Sequence, residues 1–113
     1  MKHEEDDLQM AVCNHLRARA VPGLVWFHPA NGGRRNVREA GRFKAMGVTA
    51  GVSDLILFHN KQFFALELKA AKGRLSPAQK EFLRVFEAAG GYAGVAYGID
   101  DALWVLHAWG FIR

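Results

Sequence analysis

The 113-residue chain has a single cysteine, Cys13. One thiol excludes an intramolecular disulfide and any metal site built from several thiolates, and it fits a reducing, intracellular compartment. The sequence also lacks an apolar run approaching the ~20 residues that span a bilayer. Its N-terminal stretch MKHEEDDLQM opens on acids, where a secretion signal opens on bases and then turns apolar. Neither secretion nor membrane insertion is expected, and cytoplasmic residence is. No internal repeat, low-complexity tract or linker interrupts the chain, so one domain over residues 1–113 is expected.

Half of the residues are hydrophobic and 23% are charged, the balance of a folded globular protein. The net charge of +4 and pI of 9.6 favour a polyanionic partner without requiring one. The charge is concentrated: Arg34, Arg35, Arg38, Arg42 and Lys44 are offset only by Glu39. Such a cluster is either a solvated helix face or a set of phosphate contacts.

Leu8, Val12, Leu16 and Ala20 recur at i, i+4 spacing and predict an amphipathic helix over residues 4–20, ended by Pro22 and Gly23. LVWFH at 24–28 is a short β-rich run, PANGG a turn, and residues 36–46 a helix capped by Gly47. Two strands joined by a turn follow over 54–69. Ser76, Pro77 and Gln79 then form a capping-box start for a helix reaching about Ala89. YAGVAY is a further strand and DDALWVLHAW a last helix. The order α, β, α, β, β, α, β, α predicts an α/β domain with a mixed central β-sheet flanked by helices.

The segment SDLILFHNKQFFALELK, residues 53–69, carries the chemistry. A turn centred on Asn60 and Lys61 opposes Phe58 to Phe63, Ile56 to Ala65 and Asp54 to Glu67. Alternation puts Lys69 on the face of Glu67 and leaves Leu55, Leu57, Phe64, Leu66 and Leu68 on an uncharged core face. The charged face is apolar in its middle, so it too is expected to be covered except where the charges meet. Two carboxylates ~5 Å apart repel by roughly 3 kcal/mol at an effective dielectric of 20. An ion-pair network with Lys69 is one answer, and a poor exchange for apolar burial. A divalent cation is the better one, because Mg²⁺ takes carboxylate oxygens and keeps waters that leave room for a phosphate and a nucleophile. The Lys69 amine beside it can orient or deprotonate the attacking water.

Asp54 followed by Glu67-Leu68-Lys69 resembles the motif of the PD-(D/E)xK nuclease superfamily. ANGG at 30–33, MGVTAGVSDLIL at 46–57, ALELKAAKGRLSPAQKEFL at 65–83 and a Glu-x-x-Leu-Gln helix start together resemble its virus-type replication-repair (VRR-NUC) family. Ser53 stands where the superfamily name has Pro; it supplies no ligand. The resemblance implies a restriction-endonuclease-like core, Mg²⁺ or Mn²⁺ dependence and cleavage of branched DNA. Small members of bacteriophage or bacterial type act on four-way (Holliday) junctions as homodimers, in phage DNA processing or DNA repair.

By that resemblance Asp54 and Glu67 are metal ligands, the Leu68 carbonyl a further ligand and Lys69 the base. The N-terminal helix of the family supplies another acid. At 100° per residue Glu5 falls about 20° from the centre of the Leu8/Val12/Leu16 stripe and Glu4 about 80°, so Glu5 is chosen. Gln9, one turn on, either bonds within the site or is a surface residue. Gln79 matches the family's Ser-Pro-x-Gln element, although its cap role alone explains it. Asn31, Gly32 and Gly33 either approach phosphate with their backbone or simply turn the chain. Arg34, Arg35, Arg38 and Arg42 become phosphate contacts once DNA is the substrate, with Lys72 and Arg74 as lesser ones. His28 and His59 read as ordinary strand-end histidines. The C-terminal aromatic group around Trp104 and Trp109 reads as core or dimer contact.

Two other classes compete: a DNA-binding module of this fold without turnover, and a small-molecule phosphoesterase. The intact acid, acid and lysine set speaks against the first. The basic stretch and the absence of a nucleotide-binding glycine loop speak against the second.

Overall fold

The computed structural model describes residues 3–30 and 37–113, the side chains of 37–40 excepted. The positions Asn31, Gly32, Gly33, Arg34 and Arg35, together with the side chain of Arg38, therefore lie outside the described residues. The elements are α1 (Glu4–Arg19), β1 (Val25–Phe27), α2 (Val37–Ala45), β2 (Leu55–His59), β3 (Gln62–Lys69), α3 (Pro77–Ala88), β4 (Tyr92–Tyr97) and α4 (Ile99–Ala108). The predicted order holds throughout.

The strands form one mixed sheet in the order β1-β2-β3-β4, antiparallel at the first two junctions and parallel between β3 and β4. The parallel pair is the crossover through α3. The β2–β3 hairpin has the predicted register, with Ile56 opposite Ala65 and Phe58 opposite Phe63. Asn60 and Lys61 take φ of 51° and 66°, the two left-handed residues that a type I′ hairpin turn requires.

One sheet face carries the core. Leu55, Leu57, Phe64, Leu66 and Leu68 are buried against Leu8, Val12 and Leu16 of α1 and Ala102 and Leu106 of α4. The apolar stripe read from α1 is therefore its packing face. The C-terminal residues complete this layer: Phe111 is buried, and Arg113 donates its backbone N–H to the carbonyl of Arg19 at the end of α1.

The second face differs from expectation. It is covered where α3 lies along β4, and Ala65 is buried there. Towards the hairpin turn and the edge strand it stays open: Val25, Phe27 and Phe63 are each about half exposed and Phe58 is half-buried. The reason is connectivity, since α3 leaves β3 to reach β4 and so spans that side of the sheet only. Trp104 on α4 is also exposed, at 69%, and belongs to the surface, while Leu106 and Phe111 are core.

Candidate active site

The hairpin ladder ends at Leu55 opposite Leu66. One residue earlier, the Asp54 side chain takes over from the backbone: its Oδ2 accepts from the N–H of Leu68 at 2.8 Å. The carboxylate is thus folded back towards β3, on the side where Glu67 points. Glu67 and Lys69 are buried, with 2% and 7% of their surfaces exposed, at the end of β3.

Three neighbours hold this end together. Gln79 donates from Nε2 to Glu67 Oε2 at 2.7 Å. Its Oε1 accepts from the N–H of Ser76 and its own N–H donates to Ser76 Oγ, so the capping box is complete as well. From α1, Glu5 Oε2 pairs with Lys69 Nζ at 3.3 Å and accepts from the Ala70 N–H at 3.2 Å. From the end of β1, His28 Nδ1 lies 2.7 Å from the carbonyl oxygen of Asp54. A carbonyl only accepts, so the proton is on Nδ1. Gly73 closes the turn over the Glu5–Lys69 pair; a Cβ there would sit 3.1 Å from Glu5 Oε2 and 3.2 Å from Lys69 Cε.

The electrostatics are those of crowded acids. Burial, and then the Asp54 carboxylate, push Glu67 up to about 8, with the Lys69 charge pulling the other way. Burial also raises Asp54, against the stabilising N–H of Leu68. With both acids ionised, Glu67 Oε1 is buried with no donor to meet it. A proton held between the two carboxyls would join them by a hydrogen bond. A cation would serve the same need.

Among the described residues no three His, Cys, Asp or Glu side chains converge as a complete metal cage. The donors present still suit Mg²⁺, which uses one or two protein carboxylates and keeps water and phosphate in its remaining positions. An orphaned carboxylate oxygen beside a second buried carboxylate fits that ion.

Asp54 and Gln79 also line an open cleft of about 580 Å³ with Asp6, Gln9 and His28. Asp54, Glu67, Lys69, Glu5 and Gln79 are brought together by these contacts, Gln79 both capping α3 and bonding Glu67. Arg42 on α2 and Lys72 after β3 are exposed. His28, read from sequence as an ordinary strand end, touches the Asp54 backbone because β1 pairs with β2, an adjacency that its own flanking residues do not encode.

Comparison with known proteins bears on the fold and the family. None of the curated proteins matches. A solved "VRR_NUC domain protein" is 29% identical over 93% of this chain and 86% of its own, with a TM-score of 0.75. A solved "VRR_NUC domain" is 15% identical over 93% of this chain and 96% of its own, with a TM-score of 0.63, and shows the fold. The model of the VRR-NUC domain matches residues 30–100. The chain belongs to the VRR-NUC domain family, whose nuclease fold of the PD-(D/E)xK type it shares.

Proposed function

We propose that this protein is a Mg²⁺- or Mn²⁺-dependent endodeoxyribonuclease that hydrolyses phosphodiester bonds in branched DNA, four-way junctions foremost, and that it works as a homodimer in the cytoplasm of a bacterium or phage-infected bacterial cell. One observation carries the reading: Glu67 is buried beside Asp54 with an unmet oxygen and a raised proton affinity, and Lys69 adjoins them.

Asp54, Glu67, the Leu68 carbonyl and Glu5, through the oxygen not held by Lys69, would hold the ion, which has to draw the three acids together because they do not converge without it. A bound dication would offset their charge, polarise the scissile phosphate and acidify a water. Lys69 would orient that water, or in its neutral form take its proton, and its ammonium form would offset charge growing on the phosphate. Glu5 holds the amine in place. Gln79 fixes the Glu67 carboxylate, and the Leu68 N–H and His28 fix Asp54 by its side chain and its carbonyl. Asn31, Gly32, Gly33, Arg34, Arg35, Arg38, Arg42 and Lys72 supply phosphate contacts on the duplex arms. Two opposed cuts in a junction need two such sites, which a twofold dimer provides.

The test is cleavage of four-way, flapped and linear duplex DNA in Mg²⁺ and in chelator, with Lys69→Ala beside wild type. Metal-dependent cutting of the junction, lost in Lys69→Ala, is the expected result. Preferred cutting of the flap would move the substrate, and salt-sensitive binding with no cutting would leave a binding module.

A further inference from the structure

A second hollow of about 450 Å³ adjoins the cleft, and Gln9 and His28 line both. It runs between α1 and the edge strand β1. Met10, Asn14 and Arg17 enter it from α1 at i, i+4, i+7 spacing, a single stripe of that helix, and Trp26 enters from β1. The Arg17 guanidinium stands 5.8 Å over the Trp26 ring and donates to Asn14 Oδ1 at 3.1 Å. Met10 is a large apolar side chain left 58% exposed.

The lining differs in kind from that of the cleft. No carboxylate faces the second hollow, whereas Asp6 and Asp54 face the first. The one guanidinium is already turned to the Trp26 ring and Asn14, and the rest of the lining is an indole, a thioether, the Cys13 thiol, the His28 imidazole and the primary amides of Gln9 and Asn14, so flat and uncharged groups outnumber the single fixed cation. They suit a flat, neutral, hydrogen-bonding ring. Guanidinium and indole planes take stacked bases, and amides can donate to and accept from a base edge.

We propose that this groove receives an unpaired base of the strand being cut, within a few nucleotides of the scissile phosphate. The inference rests on the nuclease reading and deepens it. A base can enter only after leaving its stack, so the substrate must offer an unpaired or easily unpaired nucleotide beside the cut, as a branch point does and a continuous duplex does not. Glu5 to Arg17 is about 18 Å along α1. The base is therefore within a few nucleotides of the cleaved bond.

The experiment is a cycle between protein and DNA. An abasic nucleotide is placed in turn at each position flanking the cut in a four-way junction, and kcat/KM and DNA affinity in chelator are measured for wild type, Arg17→Ala, Arg17→Lys and Asn14→Ala. Both side chains are exposed, so the fold tolerates these changes; Trp26, packed against the core, is left intact. For wild type, one abasic position is expected to lower kcat/KM roughly tenfold, the worth of a stacked base. Arg17→Ala should lose a similar factor on intact DNA and almost nothing further on that abasic substrate, and Arg17→Lys should not recover the loss. Equal cutting of all abasic substrates, independent multiplication of the two losses, or full rescue by lysine would overturn the groove assignment while leaving the nuclease in place. Absence of metal-dependent cutting of any DNA by wild type would overturn the nuclease reading and the groove with it.

Discussion

Gln79 holds Glu67 from the first turn of α3, with Nε2 2.7 Å from Oε2, while its other amide atom caps that helix. Two substitutions separate the roles. Gln79→Ala should lose about 1 kcal/mol of stability with the cap and also reduce cleavage. Gln79→Glu keeps a capping-box residue but sets a carboxylate against Glu67, so cleavage should fall much further than the melting temperature does. Thermal denaturation and single-turnover cleavage of the two variants check the split.

Proton binding at Glu67 gives a pH signature. Its folded value, about 8, stands above its ordinary 4.5, so the folded state holds a proton that the unfolded chain releases. That contribution to stability is complete below about 4.5 and is lost as pH rises through about 8. In chelator, wild type should melt at progressively lower temperature across this window, and Glu67→Gln should flatten the slope. Mg²⁺ must displace the proton, so binding at pH 7 should release protons, measurable by calorimetry in buffers of different ionisation enthalpy.

Lys69 is buried with Glu5 as its ion-pair partner. Lys69→Ala should reduce cleavage by roughly 10²- to 10⁴-fold while junction affinity in chelator stays within a few-fold of wild type. Glu5→Gln keeps an acceptor for the Ala70 N–H but weakens the hold on the amine, and it should give a smaller loss. A gel-based rate measured beside an anisotropy titration distinguishes failed chemistry from failed binding.

Gly51 packs directly on the start of α3. Its φ is +76°, and a Cβ there would collide with the Ala78 carbonyl group. Gly51→Ala should cost at least about 2 kcal/mol from strain and overpacking together, read as a lowered urea midpoint. Because Gln79 follows Ala78, cleavage should fall in conditions where the variant is still folded.

The hairpin was legible because alternation and a two-residue turn fix register together: every opposed pair in it was countable from Asn60 and Lys61. The capping box at Ser76 was legible for the same local reason. Contacts between distant segments were not. Gln79 reaching Glu67 depends on where the crossover lays α3, and His28 reaching Asp54 depends on β1 joining the β2 edge. The open apolar face at Val25, Phe27 and Phe63 was misjudged on that account, since alternation tells which residues share a face and nothing about which helix roofs it. Glu5 fell between these cases: helix phase selected it over Glu4, while its engagement with Lys69 needed the packed structure.

The turn at Asn60 and Lys61 stands about 20 Å along β2 from Asp54, yet it governs the chemistry there. Strand faces alternate, so adding or deleting one residue at the tip would send one acid to the far side and leave the other alone. A bend of two residues is what keeps both blades of the scissors at the opposite end on one side.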